Sequence, residues 1–175
     1  MSGFDFLRTI RTLVEHEVRF VLIGGLAGRL HGSTTVTNDV DACYERSTPN
    51  LERLAGALRG LDARLRGAPE DVPFQLDAPS LAAGDRFTFE TDAGGLDCLA
   101  SPAGVAGFEE LERAAVVMDL DGITVPVASI DDLIRMKRAA GRPKDLIELE
   151  VLGALRDEID EGSRRERHGR DGGEA

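Results

Sequence analysis

Residues 18–25 read Val-Arg-Phe-Val-Leu-Ile-Gly-Gly, and after a gap of thirteen residues, residues 39–41 read Asp-Val-Asp. The first stretch is a β-branched and aromatic run closed by two glycines, which predicts a buried strand that enters a tight turn. The second stretch alternates polar and apolar residues, as a strand with one face in the core does. Because side chains two residues apart on a strand point to the same side, Asp39 and Asp41 are predicted to project together.

These residue types suit a nucleoside triphosphate (NTP) and a divalent cation. Gly24 and Gly25 have no Cβ, so their backbone can approach a triphosphate closely, and the N–H groups of a following helix favour anionic oxygens. Two carboxylates on one strand face can bind the same ion, and Mg²⁺ (or Mn²⁺) takes such oxygen ligands together with substrate phosphates. Asp97, in an apolar strand pattern, is costly there unless it is paired or metal-bound. It is a candidate third metal ligand, or the general base for an acceptor hydroxyl.

The remaining sequence alternates predicted strands and helices. Helices are predicted at residues 4–17, 26–31, from Thr48-Pro49, from Ser129 to Gly141, and from Pro143 to about Ile159; strands at 39–44, 86–91 and 95–99; a hairpin at 116–127 around Asp121-Gly122; and a loop region at 67–85. This alternation predicts an α/β or α+β domain with a mixed sheet over residues 1–159. Residues 160–175 are polar, and we predict a disordered tail.

Composition and charge argue against some classes of function and set expectations for the location of the protein and for its two cysteines. The 175 residues carry a formal net charge of -11, which argues against broad electrostatic capture of nucleic acid but leaves room for a local basic site. The sequence has no membrane-spanning run and no signal-peptide pattern, so a cytoplasmic protein is expected. Cys43 and Cys98 are predicted to be reduced thiols on the sheet face opposite the carboxylates.

Gly24-Gly25, the thirteen-residue gap, Asp39-Val40-Asp41 and the distant Asp97 resemble the signature of the nucleotidyltransferase superfamily with the DNA polymerase β-like palm. The wider stretch, with His31-Gly32 and Thr37-Asn38, resembles the AbiEii-type branch, which includes toxins of toxin–antitoxin pairs. The resemblance covers residues 18–155. It implies a metal-dependent transfer of a nucleoside monophosphate from an NTP to an acceptor: a tRNA, a protein or a small molecule of the antibiotic type. A cognate antitoxin is a further expected partner.

The resemblance extends to the late helices and assigns roles there. It implies that Lys137 contacts the nucleotide phosphates and that Asp145 is a further carboxylate that aids acceptor activation. Arg142 and Lys144 would lie at the rim, near nucleotide or acceptor. Helical spacing agrees for Lys137, which shares a face with Ile130, Leu133 and Ile134.

Two other classes of function stay open. Leu26 stands where many superfamily members have a phosphate-binding Ser, and Thr35 stands where a basic residue is common. Both favour a non-catalytic binding partner that keeps the fold. Clustered carboxylates also suit a metal-dependent nuclease or phosphatase, although the Gly-Gly turn fits such an enzyme less well.

Overall fold

The computed structural model describes residues 3–69, 71 and 74–171. Over these residues the elements run in the order α1 (Phe6–Glu15), β1 (Phe20–Ile23), α2 (Gly24–Leu30), β2 (Asp39–Tyr44), α3 (Thr48–Gly60), β3 (Arg64–Leu65), α4 (Ala78–Ala82), β4 (Arg86–Thr91), β5 (Gly94–Leu99), α5 (Phe108–Ala114), β6 (Val116–Leu120), β7 (Ile123–Val127), α6 (Ile130–Ala140) and α7 (Asp145–Asp171).

The described strands form one mixed sheet in the order β3-β4-β5-β2-β1-β7-β6. The pairs β2–β5 and β1–β7 are parallel, and the other neighbours are antiparallel. All four residues of β1 are buried, as its apolar run predicts. The expected α/β architecture with a mixed sheet and flanking helices is therefore confirmed.

Helix packing brings α6 and α7 to the end of the sheet at which β2 and β5, the strands that carry Asp41 and Asp97, begin. α6 packs against both α2 and α7. Its start is set by Ser129, whose side chain accepts a hydrogen bond from the backbone N–H of Asp132, and its end by Gly141 in the left-handed region at φ 62°. These are the boundaries that the sequence predicts. α1 packs against α3 instead, and Ile10, Leu13 and Leu54 are part of the main core.

Several boundaries differ from the sequence expectations. Ser47, not Thr48, is the N-cap of α3, because its side chain accepts from the N–H of Asn50. Residues 67–85 were predicted to be a loop, but Asp77 caps the short helix α4 there. α5 was not predicted, since it has only seven residues and two buried side chains, Phe108 and Leu111.

The polar segment after residue 159 continues α7 as far as Asp171. The side chains of residues 160–168 are almost all exposed, so no core holds this part of the helix. Asp160 and Glu161 stand four residues before Arg164 and Arg165, a spacing of opposite charges that supports a helix locally. Across the described part of the chain, no helix is long and apolar enough to cross a membrane.

Candidate active site

Two carboxylates face each other across neighbouring strands at the centre of the sheet. In the parallel pair β2–β5, Asp41 is the direct partner of Asp97, and Asp39 is the partner of Gly95. Directly paired residues point to the same side of a sheet, so all three carboxylates share one face. Asp41 and Asp97 line a cavity of about 350 Å³. The register therefore places Asp97, the candidate third ligand, on the strand next to Asp39 and Asp41.

A glycine is required at position 24, because the backbone conformation there and the nearby Asp41 side chain leave no room for a Cβ. The φ of Gly24 is +72°, in the region that side chains rarely adopt, and a Cβ built on it would lie 2.3 Å from Oδ2 of Asp41. Gly24 lines the cavity. Gly25 packs elsewhere, because a Cβ there would meet the Thr37 side chain at 3.1 Å. The glycine pair begins α2 and brings the backbone against the carboxylate strand.

The pKa of Asp41 is raised by burial and by its acidic neighbours. Burial, together with the negative charges of Asp97 and Asp39, raises the pKa of Asp41 from 3.8 to about 7, despite the opposing charges of Lys137 and Arg142. Oδ1 of Asp97 is buried and has no hydrogen-bond partner in the described structure. Two half-buried carboxylates, one with an unsatisfied oxygen, suit a cation.

Asp39 is engaged by an arginine that sequence reasoning missed. Nη2 of Arg66 lies 3.3 Å from Oδ1 of Asp39, and its Nε donates to Oε1 of Glu90 at 2.6 Å. Within the described residues, no three His, Cys, Asp or Glu side chains are gathered into a ready metal site. The pair that faces the cavity is Asp41 and Asp97, and Asp39 stands beside it with one oxygen bonded to Arg66.

Across the cavity from the sheet, α6 and the start of α7 form a cluster of buried charges. Nζ of Lys137 donates to Oε2 of Glu148 at 2.5 Å and lies 3.8 Å from Oδ1 of Asp145. The side chains of these three residues are 10%, 9% and 3% exposed. Nε of Arg142 donates to Oδ2 of Asp145 at 2.8 Å. The cluster joins α6 to α7, and we call Lys137, Arg142, Asp145 and Glu148 the helical charge cluster.

Burial raises the pKa of Asp145, but the hydrogen bond and charge of Arg142, with the charge of Lys137, outweigh it and hold that pKa below its usual value. Oε1 of Glu148 is buried without a partner in the described structure. A Cβ at Gly28 would lie 3.2 Å from this oxygen, so the glycine leaves room for the carboxylate.

Among the site residues predicted on the helices, Lys137 and Arg142 line the cavity. Asp145 lies behind them, bonded to Arg142. Lys144 is exposed in the turn before α7 and does not line the cavity.

Sequence reasoning missed Glu148 and Arg86, which starts β4 and lines the cavity. Helical spacing was the available signal for Glu148, since it follows Asp145 by three residues and precedes Leu152 by four.

One cysteine lies on a different face from the one predicted. Cys98 pairs with Ala42 and lies on the face opposite the carboxylates, as expected. Cys43 is two residues from Asp41 and pairs with Leu99, so it lies on the same face as the carboxylates. It stays buried, and burial raises its pKa to about 12. Both thiols are core residues outside the cavity lining.

No protein-family model and no curated protein sequence matches this chain. Its structure is similar to the solution structure of the antibiotic-resistance factor ANT(2'')-Ia, with a TM-score of 0.52, 16% identity and coverage of 95% of each chain. It is also similar to the crystal structure of ANT(2'')-Ia in complex with adenylyl-2''-tobramycin, with a TM-score of 0.53, 19% identity and coverage of 93% of this chain and 96% of that one. The chain has a nucleotidyltransferase fold.

At these identities the similarity establishes the fold. The structural similarity covers nearly the whole length of the chain.

Proposed function

We propose that this chain transfers a nucleoside monophosphate from an NTP to a hydroxyl acceptor, with Mg²⁺ held by Asp41 and Asp97. The observation that carries this proposal is the direct pairing of Asp41 with Asp97 at the cavity, against the Cβ-free Gly24. A binding module gains nothing from this pair of carboxylates, in which burial and mutual repulsion raise the pKa of Asp41 to about 7.

The donor set fits Mg²⁺. This ion is commonly bound by one or two carboxylates together with substrate phosphates and waters, so a complete protein cage is not needed. Asp41 and Asp97 supply that pair, and the unsatisfied Oδ1 of Asp97 is one oxygen available to it. Asp39 is the candidate third ligand once it leaves Arg66. When bound, the ion would neutralise negative charge on the phosphate oxygens.

The protein groups then divide the work. Gly24 lets the triphosphate approach the backbone, with Gly25 shaping the turn beside it. Lys137 has three N–H donors and gives one to Glu148, so it retains donors for a phosphate oxygen. Arg142 lies at the cavity rim, half-exposed, where it can bind another phosphate oxygen. Asp145 keeps Arg142 in place.

The chemical step is an in-line displacement at phosphorus. The acceptor oxygen forms a bond to the α-phosphorus, the bond from that phosphorus to the bridging oxygen breaks, and pyrophosphate leaves with the electron pair. The acceptor proton passes to a carboxylate, for which Asp97 is the candidate. Lys144 is exposed two residues after Arg142 in the chain and is a candidate contact for a large acceptor.

Two acceptor classes have specific support. The resemblance to the AbiEii-type branch favours a tRNA, with a cognate antitoxin as partner. A small molecule is favoured by the coextensive similarity to ANT(2'')-Ia, whose complex contains adenylyl-2''-tobramycin. A protein side chain is the third acceptor.

The test is incubation of the purified protein with each α-labelled NTP, Mg²⁺ and either total tRNA or an aminoglycoside. We expect label in one acceptor fraction with wild type, none with Asp41→Ala, and unchanged transfer with Asp92→Ala, which lies exposed in the β4–β5 turn. Label on the protein itself would identify a protein acceptor. Absence of both transfer and Mg²⁺-dependent NTP binding would overturn the proposal in favour of a non-catalytic partner. Release of inorganic phosphate or cleaved RNA would identify a phosphatase or nuclease.

A further inference from the structure

The cavity holds one arginine that the proposed function does not use. Arg86 is the first residue of β4 and pairs with Leu99 of β5, while the next pair on that face joins Thr88 to Asp97. Arg86 therefore stands diagonally across from Asp97 on the same side of the sheet. Diagonal neighbours have Cα atoms about 7–8 Å apart, within reach of a long side chain. Arg86 and Asp97 both line the cavity.

Arg86 differs from Lys137 and Arg142, the other described cations that line the cavity, in having no anionic partner in the described structure. Lys137 is bonded to Glu148, Arg142 to Asp145, and Arg66 to Glu90 and Asp39. The exposed guanidinium of Arg86 makes no salt bridge and no side-chain hydrogen bond with a described residue. It does not pair even with Asp97, so its five donors are available to a ligand.

The order of the strands places Arg86 on the acceptor side. Along the sheet, β1 leads to Gly24, β2 carries Asp41, β5 carries Asp97 and β4 carries Arg86. In the proposed function the triphosphate lies toward Gly24, at the β1 side. An acceptor hydroxyl that gives its proton to Asp97 then approaches from the β4 side, where Arg86 stands.

We propose that Arg86 binds an anionic group of the acceptor, so that the acceptor is a hydroxyl compound carrying a phosphate or carboxylate. This inference rests on the proposed function, because that function defines the acceptor side. The planar guanidinium matches a phosphate or carboxylate bidentately. An RNA end and a small phosphorylated alcohol share this chemistry. A polycationic aminoglycoside lacks it and is repelled by the same arginine.

A binding experiment tests the assignment without turnover. The donor site of ¹⁵N-labelled protein is first saturated with Mg²⁺ and the best-bound of four non-hydrolysable NTP analogues, checked by calorimetry. Glycerol 3-phosphate, glycerol and kanamycin are then titrated in parallel, with the arginine Nε–H signals as the readout for wild type and the backbone amide signals as the readout of affinity for every variant. We expect saturable shifts of the Arg86 signal with glycerol 3-phosphate alone, and affinity about tenfold lower in Arg86→Gln. Arg64→Gln is the matched control, because Arg64 is exposed on β3 and does not line the cavity.

Equal affinity of wild type and Arg86→Gln for glycerol 3-phosphate would overturn the inference, as would equal or tighter binding of kanamycin. The calorimetric step reports separately on the proposed function: if it detects no Mg²⁺–NTP binding, that function fails whatever Arg86 binds. A transfer assay then distinguishes the sources of the anion. Arg86-dependent labelling of RNA identifies a nucleic-acid end, and Arg86-dependent labelling of glycerol 3-phosphate identifies a small phosphorylated alcohol. Labelling of kanamycin alone would contradict the inference.

Discussion

The two sides of the cavity differ in how their charges are balanced. We call the side with Asp41 and Asp97 the sheet wall and the side with the helical charge cluster the helical wall. On the sheet, Asp41 and Asp97 face each other, the pKa of Asp41 is raised to about 7, and Oδ1 of Asp97 has no partner in the described structure. On α6 and α7, the two cations of the helical charge cluster are matched by Asp145 and Glu148. The charges of the helical wall therefore balance one another without a ligand, whereas the sheet wall would gain stability from a bound cation. We infer that the sheet wall carries the chemistry and the helical wall carries much of the stability.

The first prediction has the largest expected effect and removes a carboxylate from the sheet wall. Asp41→Ala removes the central carboxylate of the proposed Mg²⁺ site, and we expect transfer of label from an NTP to fall about 1000-fold or more, since metal-assisted charge stabilisation contributes several kcal/mol. The thermal midpoint should not fall, because the variant relieves carboxylate repulsion. Residual transfer above a tenth of wild type would show that Asp41 does not hold the ion.

The second prediction removes the buried lysine from the helical wall. Lys137→Met leaves Glu148 buried without its partner, and removal of one member of a buried ion pair typically costs about 3–5 kcal/mol. We expect a loss of this size in the free energy of unfolding, measured by urea denaturation.

The double variant Lys137→Met/Glu148→Met is the control, because it removes both charges together. It should recover most of the stability and still bind NTP weakly, if Lys137 also contacts phosphate. Full recovery of NTP affinity in the double variant would mean that Lys137 serves only to join α6 and α7.

The same contrast explains what the sequence could predict. Strand side chains alternate with a period of two, so the shared face of Asp39 and Asp41 follows from their spacing. The pairing of β2 with β5 places Asp97 on the same face, opposite Asp41. The alternation also places Cys43 on the face of Asp41, and the prediction for that residue was wrong because the period was not applied to it.

The helical wall was harder to predict because its contacts join two helices. Lys137 and Glu148 are eleven residues apart on separate helices, and the contact depends on how α6 and α7 cross. Arg66 reaches Asp39 from the far edge of the sheet, across β4 and β5. Neither contact has a signal in local spacing. The sequence therefore predicts residues that share one element and misses partners brought together by packing.

The third prediction is that the stability cost of the Asp41 charge on the sheet wall depends on pH. The pKa of Asp41 is raised in the folded protein from 3.8 to about 7, so the native state favours the protonated form. The stability that this proton provides is present below about pH 4 and is lost as the pH rises through about 7. At pH 8 without metal, Asp41→Asn should therefore be more stable than wild type by about 2–4 kcal/mol.

Denaturation of both proteins at pH 8 and pH 5 in EDTA measures this difference. The advantage of Asp41→Asn should shrink at pH 5, and saturating Mg²⁺ at pH 8 should reverse part of it by stabilising wild type alone. An advantage that is independent of pH would show that the charge of Asp41 is not its source.

The smallest expected effect tests whether the helical wall depends on the start of α6 or on the ion pair at its far end. Ser129→Ala removes the N-cap of α6, and Ser47→Ala removes that of α3, so each should lower the free energy of unfolding by about 1 kcal/mol. Glu148 holds Lys137 two turns beyond the cap, so NTP affinity should stay within about twofold of wild type in both variants. If Ser129→Ala alone weakened NTP binding tenfold, the position of Lys137 would depend on the whole of α6. The helical wall would then take part in substrate binding as directly as the sheet wall does.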